Sequence, residues 1–113
     1  MPTATPVVSD MLITVKNRQI QQAMYAEMRD DENAARRHFL AAGHLEVVLA
    51  DEYEQAGDTA NARFSRISAG SCLWKGDEVE HARRIFDEVI TSDPAAAPEV
   101  DRIMKELGAI PHT

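Results

Sequence analysis

The fold is decided by residues 46–69, EVVLADEYEQAGDTANARFSRISA, a stretch that predicts two helices joined by a glycine turn. Gly57 suits the position just after a helix, because glycine adopts the left-handed backbone conformation at little steric cost. Asp58 is then placed to accept hydrogen bonds from the free N–H groups that open the next helix. Small and apolar residues fall where two antiparallel helices touch: Leu49, Ala50, Tyr53, Ala62 and Ala69. The stretch therefore predicts a helical hairpin.

Length and charge limit what the rest of the chain can be. The 113 residues suffice for one compact domain. The chain has 12 basic and 19 acidic residues and a net charge of -7, with signs that alternate along most of its length. This balance disfavours nucleic acid or an anionic membrane as the main ligand. The sequence also shows no secretory signal and no run approaching the ~18 apolar residues of a membrane span.

The apolar periodicity predicts an all-α fold of about five antiparallel helices packed as helical hairpins. They occupy a single domain of residues 9–108, between a flexible lead of residues 1–8 and a tail of residues 109–113. The first predicted helix is capped by Ser9 or Asp10 and runs to about residue 28, and the others span about residues 32–56, 59–75, 78–92 and 98–107. The second helix is predicted to be continuous, with a break at Gly43-His44 as the alternative.

The spacing of apolar residues also predicts which faces of the first and third helices are buried. The first helix is expected to bury Ile13, Asn17, Ile20, Met24 and Met28. The third is expected to bury Ala60, Phe64, Ile67, Ser71 and Trp74.

A second Gly-Asp pair predicts another turn between helices. Gly76 and Asp77 repeat the order seen at Gly57 and Asp58. Glu80 follows Asp77 by three residues, which predicts a capping box with Asp in place of the usual Ser or Thr. Gly76 and Asp77 are therefore expected to end one helix and open the next.

The hairpin resembles a tetratricopeptide repeat, whose signature places leucine, a small residue, tyrosine and Gly-Asp before further small residues. Here Leu49, Tyr53, Gly57 and Ala62 match that pattern. Acidic residues also precede an Ala-Arg pair by four or five positions in three places, with alanines 27 and 20 residues apart, whereas the family repeats every 34. The resemblance implies a degenerate, irregular member with a right-handed array of helical hairpins and a role in protein–protein interaction.

The residue patterns typical of enzymes and metal sites are sparse in this sequence. Glu78 and His81 form one E-x-x-H motif, whereas di-iron bundles need two such motifs and further glutamates. A ferritin-like metal-binding bundle is thus a remote alternative, and we expect no metal, no cofactor and no catalytic residues. Cys72, the only cysteine, has no histidine at helical spacing, so we predict a buried structural thiol in a cytoplasmic protein.

The function predicted from these features is a small adaptor that binds another protein or peptide. A partner of basic or mixed charge would complement the acidic chain. The predicted partner-binding residues are aromatic anchors and arginines: Trp74, Tyr53, Phe64, Arg63 and Arg66. Two alternatives stay open: exposed arginines that merely pair with nearby acids, and a helical protein that associates with itself as a homodimer.

Overall fold

A computed structural model of the chain describes the backbone of residues 5–109 and the side chains of residues 9–109. Residues 1–4 of the predicted lead and residues 110–113 of the predicted tail lie outside this range. The described chain confirms the all-α prediction with five α-helices: α1 Thr5–Met28, α2 Glu32–Gln55, α3 Thr59–Lys75, α4 Val79–Ser92 and α5 Ala97–Glu106. A short 3-10 turn, Pro94–Ala96, precedes α5, and α1 begins at Thr5, before the predicted caps Ser9 and Asp10 and within the predicted lead.

Consecutive helices pack side by side, so the fold is broad and thin. α1 packs mainly against α2, α2 against α3, and α3 against α4. The extents are 49 × 34 × 17 Å, and the third is only about one and a half helix diameters. One core cluster lies around Leu73 and Phe86 and is closed by Val100 of α5. The other joins α1 to α2 through five buried alanines, Ala23, Ala26, Ala34, Ala35 and Ala42, together with Phe39 and Cys72.

Small residues let the middle helices approach closely. α2 is continuous through Gly43, where a Cβ atom would lie 2.8 Å from the Leu73 side chain of α3. The alternative of a helix break at Gly43 is therefore wrong. At Gly70 a Cβ atom would lie 2.5 Å from the Phe86 ring of α4. These two crossings leave room only for hydrogen, which explains why glycine stands inside two helices despite its cost to helix propensity.

The predicted turn at Gly57 is confirmed. Gly57 has φ +80°, and its N–H donates to the Glu54 carbonyl oxygen. The Asp58 N–H donates to the Tyr53 carbonyl oxygen, which completes a Schellman motif. The Asp58 carboxylate then accepts from the Asn61 N–H at 3.1 Å. One residue thus reverses the chain, and the next residue opens α3.

The prediction for Gly76 and Asp77 is wrong by one residue. Gly76 has φ -83° and ends α3, whereas Asp77 takes the left-handed conformation at φ +72°. Glu78 is the N-terminal cap of α4 and makes no side-chain capping bond, so the capping box on Asp77 is absent. Gly76 is glycine for space, since a Cβ atom there would lie 2.9 Å from the Leu40 Cα atom.

With Glu78 as the cap, three helix starts share one register. In each, the carbonyl oxygen of the cap residue accepts a hydrogen bond from the N–H of a buried alanine four residues later. The pairs of cap and alanine are Asp31 and Ala35, Asp58 and Ala62, and Glu78 and Ala82. Left-handed residues precede these caps at Asp30, Gly57 and Asp77. The internal similarity seen in the sequence therefore corresponds to one repeated helix-turn-helix geometry.

The predicted buried faces of α1 and α3 are partly wrong. Met24 and Met28 are 54% and 80% exposed, whereas Ala23 and Ala26 are fully buried. On α3, Phe64 is 66% exposed. Alanine and glycine occupy much of the buried face in both helices, because small side chains let the backbones of neighbouring helices approach closely; on α3, Ile67 and Leu73 are buried beside them. A pattern read from large apolar residues alone points to the wrong face here.

Candidate functional site

An open groove of about 630 Å³ lies where the C-terminal end of α2, the first half of α3 and the second half of α4 meet. Its floor is apolar, formed by Ala62 and Val89, which are 1% and 3% exposed. Three carboxylates and two guanidinium groups surround this floor. The complete lining is Glu54, Thr59, Ala60, Ala62, Arg63, Arg66, Glu88, Val89, Ser92 and Asp93.

Ion pairs hold both arginines of the groove in place. Arg66 of α3 pairs with Glu54 at 2.7 Å and with Asp51 at 3.7 Å, both on α2. Arg63 pairs with Asp93, just beyond the end of α4. The arginines therefore link α3 to both neighbours. The pairs are solvent-accessible, so they contribute little to stability, and an incoming ligand can exchange with them at small cost.

A smaller pocket of about 240 Å³ continues the groove along α2 and α4 and shares Arg66 and Glu88 with it. Val47, Ala50 and Ile85 provide its apolar surface, and Asp51, His81 and Arg84 its remaining polar groups. Beside it, the rings of His44 and His81 lie 5.9 Å apart, centre to centre. His44 is exposed. Together the two pockets form a continuous surface of mixed charge, which we call the α2–α4 groove.

The five predicted partner-binding residues fall into two groups. Arg63 and Arg66 line the α2–α4 groove, as described. Tyr53, half-buried near the end of α2, is outside the lining of either pocket, and so is the exposed Phe64. Trp74 is half-buried against the core at the opposite end of α3, with the Arg83 guanidinium 5.0 Å from its ring centre. The structure thus brings the arginines together and leaves the three aromatic residues apart.

A buried polar cluster was missed by the sequence reasoning. Glu46 of α2 is 3% exposed and lies 3.7 Å from the Lys16 ammonium of α1. Ser65 and Ser68 of α3 lie near the same carboxylate. Burial raises the pKa of Glu46, while Lys16 and the two serines oppose this effect. The sequence does carry a sign of this burial, because Glu46 lies four residues after Ala42 and three before Leu49, on the same side of α2 as these two buried residues.

The other candidate polar residues have structural positions. Cys72 is buried, as predicted, and burial, with the nearby Glu46 carboxylate, raises the pKa of its thiol to about 11. Glu78 of the E-x-x-H motif is the cap residue of α4. Within the described residues, no group of three or more His, Cys, Asp or Glu side chains is arranged to hold a metal ion.

By fold and site, the chain belongs to the class of all-α proteins in which successive antiparallel helices pack as a thin layer with a groove on it. Comparison with protein-family models, curated proteins and solved structures gave no match. Across the described residues, no helix combines the length and apolar character needed to span a membrane.

Proposed function

We propose that the chain is a protein-interaction module that binds a segment of another protein in the α2–α4 groove and catalyses no reaction. The observation that carries this proposal is the open groove itself, in which the exposed Ala60 lies beside the buried Ala62 and Val89 and charges of both signs surround them. Apolar floors with polar rims are typical of sites that bind protein segments, since the floor supplies affinity and the rim supplies specificity. A tetratricopeptide-like ancestry and a cytoplasmic location are parts of the same proposal.

The partner segment that fits this groove is basic or mixed in charge. Glu54, Glu88 and Asp93 outnumber Arg63 and Arg66 around the floor, and the whole chain carries a net charge of -7. A basic partner would therefore associate faster at low salt than an acidic one. Carboxylates of the partner would still find Arg63 and Arg66 already oriented. The apolar residues of the partner would contribute most of the affinity.

The test is a selection of displayed random peptides on the full chain, followed by titration of the selected peptides by fluorescence anisotropy. Ser92 lines the groove and is exposed, so Ser92→Trp should fill the groove and weaken binding at least about tenfold. Thr91 is also exposed, on the same last turn of α4, but outside the groove lining, so Thr91→Trp is the matched control. Equal binding by the two variants would refute the proposal. Binding of the selected peptides should also weaken with added salt.

Self-association is the second candidate, favoured by large apolar side chains that remain exposed outside the groove. Phe64 on α3 is 66% exposed and Val48 on α2 is 46% exposed. A second copy of the chain would bury such residues. Light scattering across a range of concentrations distinguishes the two functions, because a dimer has twice the mass of the monomer. Phe64→Ser should abolish the dimer.

A further inference from the structure

The outer face of α1 carries a line of exposed side chains. α1 packs mainly against α2, with Ala23 and Ala26 fully buried, and an exposed face of the helix lies to one side of these alanines. Residues on that face recur alternately at four and three positions, which aligns them along one side of a helix for about 27 Å. We call this line the α1 stripe: Met11, Val15, Arg18, Gln22 and Tyr25 of α1, with Arg29 directly after the end of the helix, where its N–H donates to the Tyr25 carbonyl oxygen.

The α1 stripe is apolar to an unusual degree for a solvent-facing surface. Met11, Val15 and Tyr25 are 64%, 41% and 52% exposed. Met24 and Met28 are 54% and 80% exposed as well, further round the same helix. Met11 is the methionine of the stripe, and methionine adapts its shape to apolar partners of different form. Exposed apolar residues grouped in this way mark interaction surfaces.

The charge of the α1 stripe is opposite to that of the chain. Its only charged members are Arg18 and Arg29, although the chain has a net charge of -7. Among the described residues neither arginine forms an ion pair, whereas Arg63 and Arg66 pair with carboxylates. Two free guanidinium groups in line with apolar side chains are complementary to carboxylates in line with apolar side chains.

We propose that the α1 stripe binds an acidic amphipathic helix of a partner protein, with Asp or Glu residues beside apolar residues spaced alternately three and four apart. Such a helix lays its apolar face along Met11, Val15 and Tyr25, and its carboxylates reach Arg18 and Arg29. This mode of recognition uses the same spacing on both helices. The proposal is independent of the α2–α4 groove.

A second copy of α1 fits the α1 stripe less well than an acidic helix does. An antiparallel pair that sets Met11 against Arg29 brings the two Arg18 side chains within about 6 Å of each other along the axis. A parallel pair sets Arg18 directly against Arg18. Both arrangements place like charges in an apolar contact, which is unfavourable. An acidic helix replaces this repulsion with attraction.

The experiment uses a displayed library of amphipathic helices with leucine fixed at alternate spacings of three and four. The positions beside the leucines vary among Glu, Gln and Lys. The library is selected on the full chain and on the double variant Arg18→Glu/Arg29→Glu, whose helix content is checked by circular dichroism. If that variant unfolds, Arg18→Gln/Arg29→Gln replaces it. Ser92→Trp, which fills the groove, shows whether a selected helix binds the groove instead of the α1 stripe.

We expect Glu-rich helices from the original chain and Lys-rich helices from the charge-reversed variant. A Glu-rich helix should lose affinity at least about tenfold on the double variant and keep it on Ser92→Trp. Equal enrichment of Glu and Lys, or no selected helix at all, would overturn the proposal. So would helices whose binding is lost on Ser92→Trp alone, which places them in the groove. A concentration-dependent dimer removed by Tyr25→Ser would assign the stripe to a second copy instead.

Discussion

Replacing Gly57 with alanine tests the turn on which the fold depends. Gly57 has φ +80°, and a Cβ atom added there would meet nothing within 4 Å. The cost of Gly57→Ala is therefore that of the backbone conformation alone, ~1–2 kcal/mol for a residue other than glycine. Alanine also reduces the entropy of the unfolded chain, which returns ~0.4–1 kcal/mol. The net prediction is a loss of about 1 kcal/mol in the free energy of unfolding.

Urea unfolding followed by far-ultraviolet circular dichroism measures this loss, which corresponds to about 4 °C in Tm for a chain of this size. Gly57→Asn is the control, because asparagine tolerates the left-handed conformation better than alanine and should cost less. The opposite sign refutes the reasoning. If Gly57 lay inside a continuous helix, alanine would stabilise it by about 1 kcal/mol through helix propensity.

Three further predictions concern the interior. Gly70→Ala should cost ~1–3 kcal/mol in urea unfolding, because the new Cβ would lie 2.5 Å from the Phe86 ring, and Phe86→Leu should restore part of the loss. Because the pKa of Glu46 is raised in the folded state, protonation of its carboxylate stabilises the fold at pH values below the ordinary pKa of 4.5. This stabilisation is lost as the pH rises through the raised pKa. Glu46→Gln should therefore gain stability relative to the original chain as pH rises from 4.5, and an unchanged difference would contradict the assignment. Cys72, with a thiol pKa of about 11, should react with iodoacetamide at pH 8 only as fast as the chain opens; rapid labelling of the folded protein would contradict its burial.

The helices were predictable because their ends carry local chemical signals. Asp31 and Asp58 cap α2 and α3 with their carboxylates, and Pro94 follows the end of α4. By analogy with Gly57, the sequence predicts Gly76 as the left-handed residue of the second turn, whereas Gly76 is glycine to make room for Leu40 and Asp77 takes the left-handed conformation. That contact joins residues 36 positions apart, so no local pattern could show it.

Exposed and buried faces were harder to predict than helix ends. Periodicity of large apolar residues predicts which face is buried only when large residues form the contact. On α1 the contact with α2 is made by alanines, and the methionines face solvent. The groove needed three helices from different parts of the chain to meet, so only its arginines, Arg63 and Arg66, were predicted.

The measurement that tests the central claim most directly is the change in amide chemical shifts when a peptide selected on the full chain is titrated into the labelled protein. The account predicts that the largest changes lie along the α2–α4 groove, at Ala62, Arg66, Val89 and Ser92. It also predicts that these changes disappear in the Ser92→Trp variant and persist in Thr91→Trp. Changes confined to residues outside the groove, or equal changes in both variants, would contradict it.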